Sequence, residues 1–419
     1  MKEEYLHYVW KTKNIPQQNL KLIDGRALTI TSFGTLNKDS GPDFSNGQIN
    51  IDGIAWIGNI EIHINASDWY KHHHHKDLAY NNVILHVVYN YDRAVYIEQE
   101  EIPTLELKTL LPINQFDNYA KMLQNRKWIP CYDVINSIDR IHVYSQIEFA
   151  GFQRIERKTK EISQRFDALK GDINRLIMEK VACTLGTKVN RLPMLELIQN
   201  IPTSVLMKES QEVLDALLLD TANLLPDFSD NRYILKLISL GEHNRIKYSL
   251  HVMNSTSWKF FGVREAGFPP FRIVQFAAII SKKKFFDFLQ IPIKEWLHWF
   301  QNEKFTLNPY WNKHYNIDVE TKFHNASISK NSKELILINV VIPVIYWWGI
   351  YQKQYTWSDI AINLLENSTC EKNSIINNWK NIGLSVNSAK DSQGLLELKN
   401  EFCAKKKCLS CKIGHQVLK

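Results

Sequence analysis

Apolar and polar positions alternate most clearly between residues 41 and 92, in GPDFSNGQINIDGIAWIGNIEIHINASDWYKHHHHKDLAYNNVILHVVYNYD. Successive side chains of a strand point to opposite sides. Over residues 54–65 this puts Ile60, Ile62 and Ile64 on one face and Asn59, Glu61, His63 and Asn65 on the other. A second alternating run, 45–51, follows the Gly41-Pro42-Asp43 turn, and a third, 83–89, carries His86 among apolar residues. The pattern predicts a sheet with one apolar face that packs and one face that gathers carboxylates and imidazoles. Further strands are predicted at 27–33, after a turn at Gly25, at 94–98 and at 104–110, with a short amphipathic helix at 3–10.

Beyond residue 138 the period lengthens to three or four. Helices are predicted over 141–169, from an Asp172 cap to near Gly186, and over 195–200, 203–225, 232–240, 271–284, 293–301, 335–351, 358–365 and 395–403. The expected fold class is α+β or α/β. A β-rich domain covers 1–115, a larger, mostly helical domain 138–400, and a Cys/His tail 401–419.

A chain of 419 residues, 44% apolar and 23% charged, has the composition of a globular protein with a large core. A net charge of +7 tolerates a polyanionic partner without requiring one. The apolar run 335–351 is broken by Asn339 and Pro343 and is short for a membrane span, so a buried helix is expected. The start MKEEYLHYVW lacks the apolar core of a secretory signal. A cytoplasmic protein with no membrane partner is the expectation.

Four groups of residues carry candidate chemistry. Asp43, Glu61 and the carbonyl between Glu61 and His63 offer oxygens to a hard divalent ion, Mg²⁺ or Mn²⁺. His63, with an ordinary imidazole pKa of about 6.5, can accept a proton from water or ligate a softer metal. Asp68, His72, His74, Asp77 and His86 form a second group able to hold Zn²⁺, Mn²⁺ or Fe²⁺; the bland alternative is a polar turn with His86 hydrogen-bonded near the core. Third, Cys403, Cys408, Cys411 and His415 have the spacing of a zinc or iron–sulfur site, with Cys131 or Cys370 as alternative fourth ligands. Fourth, Arg154, Arg157, Lys158, Arg264, Arg272 and residues 282–284, with Trp258, Phe260, Phe261 and Phe271, could track phosphates and stack bases. The ordinary reading of that last group is solvated helix faces and core aromatics.

Pro42-Asp43, followed after seventeen residues by Glu61-Ile62-His63, resembles the PD-(D/E)xK nuclease superfamily. There the Asp opens the second core strand and the (D/E)xK lies on the third. The resemblance implies a restriction-endonuclease-like sheet and metal-dependent hydrolysis of DNA or RNA. Asp43, Glu61 and His63 would be catalytic, Asp43 and Glu61 would hold the ion, and Glu3 or Glu4 would add a carboxylate from a preceding helix. Arg264 and Arg272 are the expected nucleic-acid contacts. His63 stands where Lys is usual and supplies no constant positive charge. The whole chain also resembles an uncharacterised bacterial family, a domain of unknown function, through GPDF, GNIEIH, SDWYKHHHH with Asp77 and Tyr80, VILHVV and the terminal CLSCKIG. That likeness brings no activity. The competing functions are a catalytically degenerate nucleic-acid-binding or assembly protein and a metallohydrolase built on the histidines.

Overall fold

The alternating stretch becomes the centre of a mixed sheet in the computed structural model, which describes residues 2–37, 39–111 and 113–418. Helix α1 (Glu3–Lys11) precedes strands β1 (Leu20–Lys21), β2 (Ala27–Ser32), β3 (Thr35–Leu36), β4 (Phe44–Ile51) and β5 (Ile54–Asn65). After the short helix α2 (Asp68–Lys71) come β6 (Val83–Asn90), β7 (Tyr96–Ile97), β8 (Glu100–Glu101) and β9 (Thr104–Glu106). The sheet order is β1-β2-β4-β5-β6-β9, with β3 edging β4, and β7 and β8 form a separate hairpin. Neighbours from β1 through β5 are antiparallel, whereas β5, β6 and β9 are parallel. A parallel neighbour requires a crossover connection. Residues 66–82 make it between β5 and β6, and they carry the four consecutive histidines. The predicted strand at 104–110 pairs only as far as Glu106, because the amides of Leu110 and Leu111 turn back to the Leu107 carbonyl.

Both faces of β5 are covered over residues 60–63, whereas its start, residues 54–57, is exposed. Ile60 and Ile62 are fully buried, as the alternation predicts, but Glu61 (4% exposed), His63 and His86 (both 0%) are buried as well. Helix α1 lies near this polar face. Its Tyr5, Leu6, Val9 and Trp10 are buried, and Trp10 Nε1 donates to the Phe33 carbonyl at 2.9 Å. Glu3 and Glu4 in its first turn and Lys11 in its last suit the helix dipole.

The chain divides into two compact units, Met1–Gln146 with Leu398–Lys419, and Ile147–Glu397. In the first, helix α3 (Ile113–Gln124) follows the sheet. The second unit is mostly helical, with one short hairpin of His314–Asn316 and Val319–Glu320: α4 (Arg140–Ala168), whose first residues belong to the first unit, α5 (Ile173–Leu185), α6 (Arg191–Gln199), α7 (Thr203–Lys208), α8 (Gln211–Thr221), α9 (Arg232–Lys247), α10 (Pro269–Ile280), α11 (Ile293–Asn302), α12 (Lys330–Ile336), α13 (Ile342–Tyr351), α14 (Thr356–Asn367), α15 (Ser374–Asn381) and α16 (Ala389–Glu397). Asp172 caps α5 as its sequence position predicts, accepting from the Arg175 amide at 2.9 Å. The single helix predicted at 203–225 is two, because the Ser210 side chain starts α8 by accepting from the Val213 amide. Between α12 and α13 the turn Leu337–Val341 is π-helical, next to Pro343, which has no amide hydrogen for the ladder. Among the described residues, Lys330–Tyr351 is the helix long and apolar enough to cross a membrane, and 61% of its apolar window is buried inside the fold.

Close approach of α4 and α16 depends on one glycine. A Cβ at Gly394 would sit 2.3 Å from the Ile147 carbonyl oxygen. Overpacking against backbone costs about 1–3 kcal/mol, more than the helix-propensity gain of up to about 1 kcal/mol for alanine. Gly394→Ala should therefore lower the melting temperature of the full chain by several degrees in a calorimetric scan, whereas Gly→Ala on an unpacked helix would raise it.

Candidate metal centre

Asp43 ends the Gly-Pro turn and enters β4 just before a bulge, where the β4–β5 register slips between Phe44 and Gly47. Such bulges re-aim nearby side chains. Here the two acidic residues are locked together. The Asp43 amide donates to Glu61 Oε2 at 3.0 Å, and the Ile62 amide donates to Asp43 Oδ2 at 3.0 Å. Helix α1 delivers a group that the sequence reading missed: His7 Nε2 lies 3.0 Å from the same Asp43 oxygen and 3.9 Å from Glu3 Oε1. Glu3 and His7 are one helical turn apart on a polar stripe of an otherwise buried helix, and that spacing was the available signal.

The crossover then folds its histidines back over β5. His73 takes a left-handed backbone conformation (φ 62°), and its neighbours His72 and His74 both meet His63. One ligand nitrogen from each of His63, His72 and His74 lies within 4.8 Å of the other two. Glu61 Oε1 stands 3.5 Å from His63 Nε2 and 3.3 Å from His74 Nε2. Beneath them, His86 on β6 lies opposite Glu61 in the register, with Nε2 2.8 Å from His63 Nδ1. Trp69 packs its ring within 6.4 Å of those of His63, His74 and His86, and Tyr80 stacks on His74 at 3.8 Å.

Burial sets the protonation of this cluster. Desolvation, reinforced by the neighbouring Asp43 charge, pushes the Glu61 carboxyl up to about 9. Desolvation depresses His63 strongly, with the other imidazoles adding to the effect, and lowers His86 to about 3 and His74 by a smaller amount. For His7, desolvation is outweighed by its bond and charge interaction with Asp43, so its pKa rises. Burial and Asp43 raise Glu3. At neutral pH His63, His74 and His86 are thus neutral imidazoles beside a protonated Glu61.

The donor set fits a divalent transition metal. Imidazole nitrogens with a carboxylate suit Mn²⁺, Zn²⁺ or Fe²⁺, and His74 Nε2 is buried beside Glu61 without a properly aligned hydrogen bond. Two expected members do other work. Asp77 caps a turn by accepting from the Ala79 amide at 2.9 Å. Asp68 accepts from the Asn65 amide at 2.9 Å and from Lys71 Nζ at 2.6 Å; these bonds hold its pKa low against the opposing effect of burial.

The terminal cysteines converge elsewhere in the first unit. Cys131, Cys403, Cys408 and Cys411 line one pocket with Met122, Pro130, Phe402, Lys407 and Gly414. His415 turns aside, with Nε2 2.7 Å from the Leu409 carbonyl and its ring 5.1 Å from that of Tyr8. Cys370 lies in the second unit, where Lys380 Nζ approaches its sulfur at 3.7 Å.

The basic residues of the second unit are largely engaged there. Arg154 and Arg157 bind Glu397, and the half-buried Lys158 donates to Asn339 and Gln393. Arg272 turns its guanidinium to Gln275 and Ser332, while Arg264 is exposed. Lys282 pairs with Glu303 and Lys284 with Glu295. Trp258 and Phe271 are core residues, and Phe261 is fully exposed.

The fold and the site define an α+β protein with a carboxylate- and histidine-lined centre on its N-terminal sheet. Residues 3–374 match the family of proteins of unknown function DUF2851, and the chain belongs to that family. Neither the curated proteins nor the solved structures contain a match to it.

Proposed function

We propose that the chain is a metal-dependent hydrolase of phosphodiester bonds in DNA or RNA. The observation that carries this reading is the position of Asp43 and Glu61. They open the second and lie on the third of three successive antiparallel strands, β2, β4 and β5; the third passes by a crossover to the parallel strand β6. The PD-(D/E)xK resemblance asks for this order, with α1 ahead of the sheet bringing Glu3.

Glu61, His63, His72 and His74 are the residues to hold the ion, with Asp43 beside them; a bound divalent ion lowers the pKa of water and offsets phosphate charge. The imidazoles favour Mn²⁺ over Mg²⁺. His86 is a positioning residue. When His63 Nδ1–H donates to His86 Nε2, His63 Nε2 keeps its lone pair, which lies 3.1 Å from His72 Nδ1. His7, whose charged form Asp43 favours, supplies the positive charge that Lys brings in the resemblance.

The test is cleavage of single- and double-stranded DNA and RNA by the full chain with Mn²⁺, Mg²⁺ or EDTA, beside Asp43→Asn. Cleavage is expected with Mn²⁺ above Mg²⁺ and none with EDTA or in the variant. A protein that neither cleaves any of these substrates nor binds Mn²⁺ through Asp43 and Glu61 would overturn the reading. The three-imidazole cluster also supports a second reading, a metallohydrolase acting on another substrate; tight Mn²⁺ or Zn²⁺ binding without nucleic-acid cleavage would select it.

A further inference from the structure

Four of the six cysteines in the chain line a single pocket, although Cys131 is far in sequence from the other three. The intervening structure brings them there without help from the thiols. Helix α3 leads to the loop in which the Cys131 carbonyl accepts from the Val134 and Ile135 amides at 3.1 and 2.9 Å. The returning C-terminal segment is tied to that region by hydrogen bonds from Lys399 Nζ to the Trp128 carbonyl and from Lys406 Nζ to the Leu123 carbonyl. The Lys412 amide donates to Gln146 Oε1 at 2.8 Å. Cys408 and Cys411 sit at the ends of one tight turn, Cys408–Ser410 and the residue after it, which leads into helix α17 (Lys412–Val417). This turn requires a glycine: a Cβ at Gly414 would lie 2.1 Å from the Cys408 carbonyl oxygen. All six cysteines are free of disulfides.

Thiols are weak hydrogen-bond groups, so gathering four of them around an otherwise apolar pocket leaves them with no strong partners of their own. A thiolate-bound metal is the partner that four such groups share. A single zinc ion draws its sulfurs to about 2.3 Å from one point and closes the space between them. Here no three of the four sulfurs lie within 4.8 Å of one another, as they would around one zinc ion, yet all four line the same pocket. Four cysteines are also the ligand set of an iron–sulfur cluster.

From this geometry we infer that Cys131, Cys403, Cys408 and Cys411 ligate an iron–sulfur cluster, and that His415 is not a ligand. The cluster clamps the C-terminal segment to the Cys131 loop. That segment also places His415 against Tyr8 of α1, the helix that carries Glu3 and His7 to Asp43. This assignment does not rest on the proposed hydrolysis.

The experiment uses the full chain purified without oxygen, analysed for iron, acid-labile sulfide and zinc, and scanned for visible charge-transfer absorption. Parent and His415→Ala protein should contain iron and sulfide in equal amounts and absorb in the visible. Cys131→Ser and Cys411→Ser should lose nearly all of both. In case those serine variants do not fold, thiol alkylation of the parent is read by mass spectrometry before and after iron chelation. Cys131, Cys403, Cys408 and Cys411 should be protected together and released together, with Cys370 labelled similarly in both states. The inference is overturned by zinc without sulfide, by wild-type iron in Cys131→Ser, or by loss of iron in a folded His415→Ala. Alkylation of Cys131 that is indifferent to chelation would overturn it as well.

Discussion

Glu61→Gln should bind divalent ions at least about a hundredfold more weakly than the parent, beyond the tenfold to hundredfold cost of losing an outer-sphere partner, and should lose metal-dependent cleavage with it. The fold should survive, because the isosteric amide reproduces the bond that positions β4: its carbonyl oxygen accepts from the Asp43 amide as Glu61 Oε2 does at 3.0 Å. Stability should in fact rise. The folded protein holds Glu61 protonated up to about 9, whereas the unfolded chain ionises it near 4.5. The stabilising contribution of a carboxyl with a raised pKa is fully present below its unfolded value and is lost as pH rises through the folded one. Gln cannot ionise, so at pH 8 without ions the variant should melt higher than the parent, and the difference should vanish near pH 4. A variant that loses ion binding only because it has unfolded would show the opposite thermal shift. One that binds Mn²⁺ as the parent does would remove Glu61 from the centre.

Much of this arrangement was legible in the sequence because it is local. The period of two over 54–65 fixes which side of β5 carries Glu61 and His63, and the Gly41-Pro42 turn places Asp43 at a strand entrance. The change to a period of three or four marks the helices beyond 138. What the pattern could not show is what covers the polar face. His7 reaches Asp43 from a helix 36 residues earlier, and no periodicity within α1 says where that helix docks. The His72-to-His75 run offers candidate ligands in sequence, but only the left-handed backbone at His73 shows that His72 and His74 turn toward His63. Cys131 is similar: spacing leaves it level with Cys370 and His415 as a fourth ligand, and only the return of the C-terminal segment to its loop selects it. The basic residues of α4 show the reverse effect. They resemble a phosphate-binding stripe in one dimension, but Arg154, Arg157 and Lys158 are satisfied by Glu397, Gln393 and Asn339 from distant helices.

Ion affinity at this centre should rise steeply with pH. An ion needs the Glu61 carboxylate, and the folded protein keeps that group protonated until about 9. Binding therefore displaces a proton from Glu61, while His63 and His74, depressed by burial, have none to give up at neutral pH. Each pH unit below the carboxyl's own pKa reduces the ionised fraction about tenfold, so the Mn²⁺ dissociation constant should fall by about a hundredfold between pH 6 and pH 8. It should level off above pH 9. Titration calorimetry in buffers of different ionisation enthalpy should report close to one proton released per ion at pH 7. Asp43→Asn removes the charge that helps to raise Glu61 and should move the plateau to lower pH, whereas Glu61→Gln should abolish both the slope and the proton release. An affinity flat between pH 6 and pH 8 would mean that Glu61 is ionised before the ion arrives. The buried cluster would then carry the Glu61 negative charge before any ion binds, and the charge balance assigned to it would be overturned.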